Sequence, residues 1–195
     1  LDDVGDRRLI LDRSELFRNL DEVERSILVG SMTRHDLEAG EVLYRQGAEG
    51  NSLYLLAEGL LSSFVTLSGL EGKAKVEQIE SGRHFGEDAL LTGKSRSSTL
   101  AAITDCVVFE MPKEPVMELA RRKGDFLAML NRNVALSEER IHNSKAAASK
   151  RKKAAPRKKK SAGVTKAIQT FFTDLFPTNE TESPPSNNQT PQETG

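Results

Sequence analysis

The chain has 195 residues, with 28 Lys+Arg against 29 Asp+Glu, 37% hydrophobic residues and a single cysteine. That length accommodates one domain of ordinary size plus an appendage; a lone cysteine excludes an internal disulfide, and no run of about 18 apolar residues is present to span a bilayer. The net charge near zero conceals three regimes: residues 1–143 hold 18 Lys+Arg and 25 Asp+Glu, residues 144–166 hold ten Lys+Arg and no acid, and residues 167–195 hold four acids and no base.

Ser14 is placed to cap a helix in which Leu16, Phe17, Leu20, Val23, Ile27 and Leu28 recur near the helical period. After Met32 the pattern changes to short alternating or wholly apolar segments: 41–45, 52–57, 60–67, 74–79, 97–103 and 106–111. Glycine turns or the Thr104-Asp105 pair separate them, which predicts a small antiparallel barrel or sandwich. Pro112 is suited to begin a helix with Val116, Met117, Leu119 and Ala120 on its apolar face. Gly124 breaks that helix, and Asp125 can cap another bearing Phe126, Leu127, Met129, Leu130, Val134, Leu136 and Ile141. Cys106 lies in the apolar run Cys-Val-Val-Phe and reads as a buried, inert thiol.

The most specific stretch is Phe85-Gly-Glu-Asp-Ala-Leu-Leu-Thr-Gly-Lys-Ser-Arg-Ser-Ser-Thr-Leu100. Gly86 permits a tight turn with close backbone approach to a ligand. Arg96 carries a planar fork matched to phosphate oxygens, whereas Glu87, an acceptor when ionised, suits a sugar hydroxyl. One segment thus offers opposite charges to two ends of one molecule. Read without a gap, it resembles the phosphate-binding cassette of the cyclic-nucleotide-binding domain, whose pattern runs Phe-Gly-Glu-x-Ala-Leu-Leu/Ile, four residues, Arg, two small residues, Thr, aliphatic. The resemblance implies that Glu87 holds the ribose 2'-hydroxyl and Arg96 the cyclic phosphate of cAMP or cGMP. Backbone amides around Gly86, Asp88 and Ala89 would complete the anion site, with Ser97 beside the phosphate or a guanine. Asp88 and Ser95 depart from the usual apolar residue and proline at their positions. The similarity extends over about Leu16 to Arg140 and implies an α+β fold: an antiparallel β-roll with an N-terminal helix and C-terminal helices, the last folding over the nucleotide as a lid.

No catalytic or metal-binding pattern competes. His35, His84 and His142 are scattered, no Cys or His spacing fits a metal site, and the serines near Arg96 lack a partner histidine at motif spacing. The reading is a receptor, with no cofactor beyond its nucleotide ligand.

The domain is expected to span 14–143, followed by a disordered basic linker at 144–166, a short amphipathic helix at 167–177 and a polar tail without fold at 178–195. In the helix Ile168, Phe171, Phe172, Leu175 and Phe176 form an aromatic stripe that Pro177 ends. A basic run followed by such a helix favours an anionic membrane surface or a partner groove. The order of nucleotide domain, basic linker and Ile-x-x-Phe-Phe helix, with the wording of 89–110, is similar to the C-terminal portion of mechanosensitive-type channels. That similarity implies a cytoplasmic sensor joined to an inner-membrane channel portion, oligomeric in the full-length protein. The alternative is a soluble cyclic-nucleotide-dependent regulator of DNA or of a partner enzyme. Starting on Leu1, the chain is expected to be a processed product or a piece of something longer.

Overall fold

The computed structural model describes residues 3–67 and 72–154. Helix α1 (Asp3–Arg13), a 3-10 turn (Glu15–Phe17) and α2 (Glu22–Ser31) precede the strands. These are β1 (Thr33–Leu37), β2 (Val42–Tyr44), β3 (Ser52–Glu58), β4 (Leu60–Thr66), β5 (Lys73–Glu80), β6 (His84–Phe85), β7 (Thr99–Ala102) and β8 (Cys106–Pro112). Helix α3 (Glu87–Thr92) interrupts them, and α4 (Lys113–Arg122) and α5 (Gly124–Ala154) follow. The strands form two antiparallel four-stranded sheets, ordered β1-β8-β3-β6 and β2-β7-β4-β5. The fold is the expected antiparallel β-roll with helices at both ends.

Side-chain alternation along β3 shows how the layers stack. Leu53 and Leu55 face a cluster with Leu11, Phe17, Leu28, Val116, Phe126 and Leu130 from the helices. Tyr54 and Leu56 face the space between the sheets, against Leu61, Ile79, Phe85, Leu100 and Val108. Because both faces of β3 are covered, its sequence is a continuous apolar run instead of an alternating one.

The N-terminal region differs from the single helix expected after Ser14. Ser14 leads only into the 3-10 turn, and its hydroxyl is buried without a hydrogen-bond partner. The helix proper starts after Asp21, whose carboxylate accepts from the Glu24 amide while the Glu24 carboxylate accepts from the Asp21 amide, both at 2.9 Å. This capping box satisfies two amide donors and fixes where the helix begins.

The C-terminal helix runs past the expected boundary at residue 143. Residues 144–154, read as part of an unfolded linker, continue α5. Ile141 is buried against Val65 and Ala74, and Ala148, two turns later, packs on the same cluster. Alanine and lysine are good helix formers, so once two positions find an apolar surface the helix propagates between and beyond them. The amphipathic helix expected at 167–177, the rest of the basic linker and the polar tail lie outside the described residues. Among the described residues no helix is long and apolar enough to cross a membrane.

Candidate functional site

Two left-handed glycines bracket α3. Gly86, at φ +89°, precedes it and Gly93, at φ +67°, terminates it. A side chain at either would be strained, so the two glycines set both the length of the helix and the direction in which the chain leaves it. A cavity of about 520 Å³ opens beside this element, within the range of small-molecule sites. Phe85, Gly86, Glu87, Asp88, Ser97 and Ser98 form one wall. Tyr44, Ser63, Ile79 and Leu100 of the sheets form the floor, and Met129, Arg132, Asn133, Leu136, Ser137 and Arg140 of α5 form the opposite wall.

Glu87 is 7% exposed, and its Oε2 has no hydrogen-bond partner in the protein. Burial pushes its carboxyl up to about 7, and the neighbouring charges of Asp88 and Glu77 act in the same direction. An ionisable group in this state, buried and lining a cavity, is the sort found where a ligand completes its bonding. Asp88 accepts a hydrogen bond from the Ser97 hydroxyl, and the Ser63 hydroxyl donates to that of Ser98 at 2.9 Å.

Arg96 is 3% exposed. Its Nη1 donates to the Gly86 carbonyl at 2.8 Å and its Nη2 to the Ser52 carbonyl at 3.1 Å. The guanidinium carbon lies 4.5 Å from the ring centroid of Tyr44 and 5.2 Å from that of Tyr54, in cation–π range. Glu110 steadies this bed, because the Tyr54 and Ser52 hydroxyls both donate to its Oε1. The bed requires glycine: a Cβ on Gly50 would stand 2.3 Å from Arg96 Nε, and one on Gly86 would stand 2.7 Å from Nη1.

On the α5 side, the Asn133 amide donates to His84 Nε2 at 2.6 Å. Burial, aided by the Arg83 charge, pushes His84 down to about 4, so near neutrality the imidazole is uncharged and can accept this bond. Phe17 contacts His84 edge-on and also packs on Phe126, fastening α5 to the strand that leads into Gly86. Arg83 and Arg140 both reach the Glu77 carboxylate, at 3.0 and 3.2 Å.

Residues 34–123 match the cyclic nucleotide-binding domain family, and they include the whole cassette wall. This segment belongs to that family. Over 98 residues the chain is 37% identical to a cAMP-dependent protein kinase regulatory subunit of Blastocladiella emersonii, covering 50% of this chain and 24% of that protein. Over 144 residues it is 26% identical to human cGMP-dependent protein kinase 2, covering 72% and 18%. The regulatory domain of Toxoplasma gondii PKA with cAMP superposes with a TM-score of 0.54 at 28% identity, over 59% of this chain and 43% of that one. Thermus thermophilus catabolite activator protein gives 0.55 at 26%, over 67% and 60%. The chain spans about a quarter or less of the length of these kinase relatives.

Of the residues expected at the nucleotide site, the domain brings Gly86, Glu87, Asp88 and Ser97 onto the cavity wall. Ala89 and Arg96 are buried and do not line it. Ala89 instead accepts, through its carbonyl, the Gly93 amide that closes α3. Arg96 lies behind Gly86, one carbonyl away from the cavity, with its charge directed at backbone oxygens. The residues that sequence reasoning passed over are Tyr44, Ser63 and the polar face of α5, above all Arg132 and Asn133. The α5 residues were legible in principle, since Met129, Arg132, Leu136 and Arg140 recur at three- and four-residue steps on one helix stripe.

Proposed function

We propose that this chain is the cyclic-nucleotide-sensing regulatory module of a larger protein and that it controls a partner enzyme of the protein kinase class. The observation that carries the reading is the buried, unpartnered Oε2 of Glu87 on the wall of a nucleotide-sized cavity. It stands nine residues before an arginine that backbone carbonyls alone hydrogen-bond. A ribose hydroxyl supplies the donor that Glu87 lacks. A diester anion competes with the Gly86 and Ser52 carbonyls for the Arg96 fork, exchanging two neutral acceptors for a charged one. The kinase context comes from the relatives, a regulatory subunit of a cAMP-dependent kinase and a cGMP-dependent kinase. A partner-enzyme regulator suits them better than the channel sensor expected from the sequence.

Transmission follows from α5. One stretch of this helix walls the cavity, and a later stretch, Ile141 to Ala148, lies on β4 and β5. A ligand touching the first stretch biases the packing of the second, and through it whatever the helix leads to. Calorimetric titration with cAMP and cGMP tests the reading. Binding by the wild type is expected, with a loss of about 10-fold to 150-fold on Arg96→Ala, the value of one charge-assisted hydrogen bond. Equal binding by wild type and Arg96→Ala contradicts it.

A further inference from the structure

We propose that Arg132 of α5 reads the six-position carbonyl of a purine, so that the site prefers a 6-oxopurine cyclic nucleotide, cGMP, over cAMP. This rests on the function proposed above and adds the identity of the base. If the ribose lies at Glu87 and the phosphate near Arg96, the base faces the opposite wall, which is α5.

Three arginines line the cavity. Arg83 and Arg140 are both engaged by Glu77. Arg132, among the described residues, has neither a hydrogen bond nor an ion pair, and it is exposed on the stripe that includes Met129 and Leu136. Those two apolar side chains offer surface to the face of a purine ring, and Arg132 between them offers its fork to the edge. A guanidinium has five N–H donors and no acceptor. Guanine presents two acceptors, O6 and N7, on that edge, and arginine bonds both at once; adenine presents N7 beside an amino donor, which the guanidinium cannot accept from. The side chain suited to adenine is an amide, which can donate to N7 and accept from N6 together. Asn133 is the amide on this wall, and one of its two N–H donors is given to His84 Nε2, which turns the amide toward the strand and away from the position Arg132 occupies. The wall therefore presents an unengaged guanidinium, the group that selects guanine, while the bond to His84 restrains the one amide that would favour adenine.

The test is titration of wild type, Arg132→Ala, Arg132→Glu and Arg96→Ala with cGMP, cIMP and cAMP. cIMP keeps O6 and N7 but lacks the 2-amino group, so it isolates the proposed contact. Wild type is expected to bind cGMP and cIMP about 5-fold to 150-fold more tightly than cAMP, the discrimination typical of a bidentate arginine–guanine contact. Arg132→Ala should remove that preference by weakening cGMP and cIMP while leaving cAMP within about 3-fold, because less than 1 kcal/mol separates values that close. Arg132→Glu should turn the order toward cAMP, since a carboxylate accepts from the amino group. Tighter cAMP binding by the wild type, or an equal loss for all three ligands in Arg132→Ala, overturns the proposal. Arg96→Ala separates the two levels of inference: it should weaken all three ligands alike. If Arg96→Ala has no effect, or no ligand binds the wild type, the site reading itself fails and the base inference falls with it.

Discussion

The two walls of the cavity are prepared differently. On the cassette side the polar groups are already engaged: Arg96, behind the wall, by two carbonyls and two tyrosine rings, and on the wall itself Asp88 by Ser97 and Ser98 by Ser63. Glu87 is the exception, buried with one oxygen unpartnered. On the α5 wall the helix is anchored by Phe17 and Asn133, yet Arg132 and Leu136 are exposed to the cavity. A ligand must replace internal bonds at the cassette, whereas at α5 it adds new ones. Affinity is therefore set mainly at the cassette and selectivity mainly at the helix, which gives each wall its own signature in mutants.

The largest effect is expected from removing the anchor that joins the walls. Phe17 is fully buried between His84 and Phe126, so Phe17→Ala should lower the unfolding free energy by about 3–5 kcal/mol. Chemical denaturation measures this, and a loss below about 1 kcal/mol would mean that the helix is not held there.

Glu87→Gln breaks the comparison at the buried, unpartnered carboxyl of the cassette wall. The carboxyl is pushed up from 4.5 to about 7 in the folded domain, so its favourable contribution is fully present below about 4.5 and is lost as pH rises through about 7. The unliganded variant should match wild type near pH 4. At pH 8 it should be more stable by up to about 3 kcal/mol, from 1.36 kcal/mol per pKa unit. Denaturation at the two pH values decides, and a gap of equal size at both would remove the buried-carboxyl account. Nucleotide affinity in the wild type should weaken as pH falls below about 7, because a protonated Glu87 is a poorer acceptor for the ribose hydroxyl.

His84 carries the opposite sign. Its value is lowered to about 4 from 6.5, so its contribution is present above 6.5 and is lost as pH falls toward 4. Replacing its partner, Asn133→Ala, should cost about 1 kcal/mol near neutral pH, the net worth of one hydrogen bond, and a thermal melt reads it. Gly50→Ala should give the smallest shift, a few-fold gain in nucleotide affinity of less than about 1 kcal/mol, because a Cβ at this position crowds Arg96 in its inward bed. Weaker binding would indicate that the inward position is the competent one.

The cassette was legible because its positions answer to backbone demands. Gly86 and Gly93 must take left-handed conformations, and a short apolar helix must fit between them. The run in β3 was legible because a strand covered on both faces contains almost nothing polar. Strand β1, Thr-Arg-His-Asp-Leu, gave no alternation to read because it lies at a sheet edge and is mostly exposed. Helix α1 buries little beyond Ile10 and Leu11, and β6 is only two residues long. The basic stretch after residue 143 suggested solvation by its charge, while its alanines concealed a helix that needed only Ile141 and Ala148 to dock. The orientation of Arg96 depends on a space left by Gly50, forty-six residues away in sequence, and a one-dimensional motif does not encode such a rotamer.

The central claim is that a cyclic nucleotide draws Arg96 away from the backbone. A crystal structure of the domain with cGMP tests it most directly. The Arg96 guanidinium is expected on the cyclic phosphate, released from the Gly86 and Ser52 carbonyls, with a Glu87 oxygen accepting from the ribose hydroxyl. A bound nucleotide with Arg96 still hydrogen-bonded to both carbonyls would contradict it.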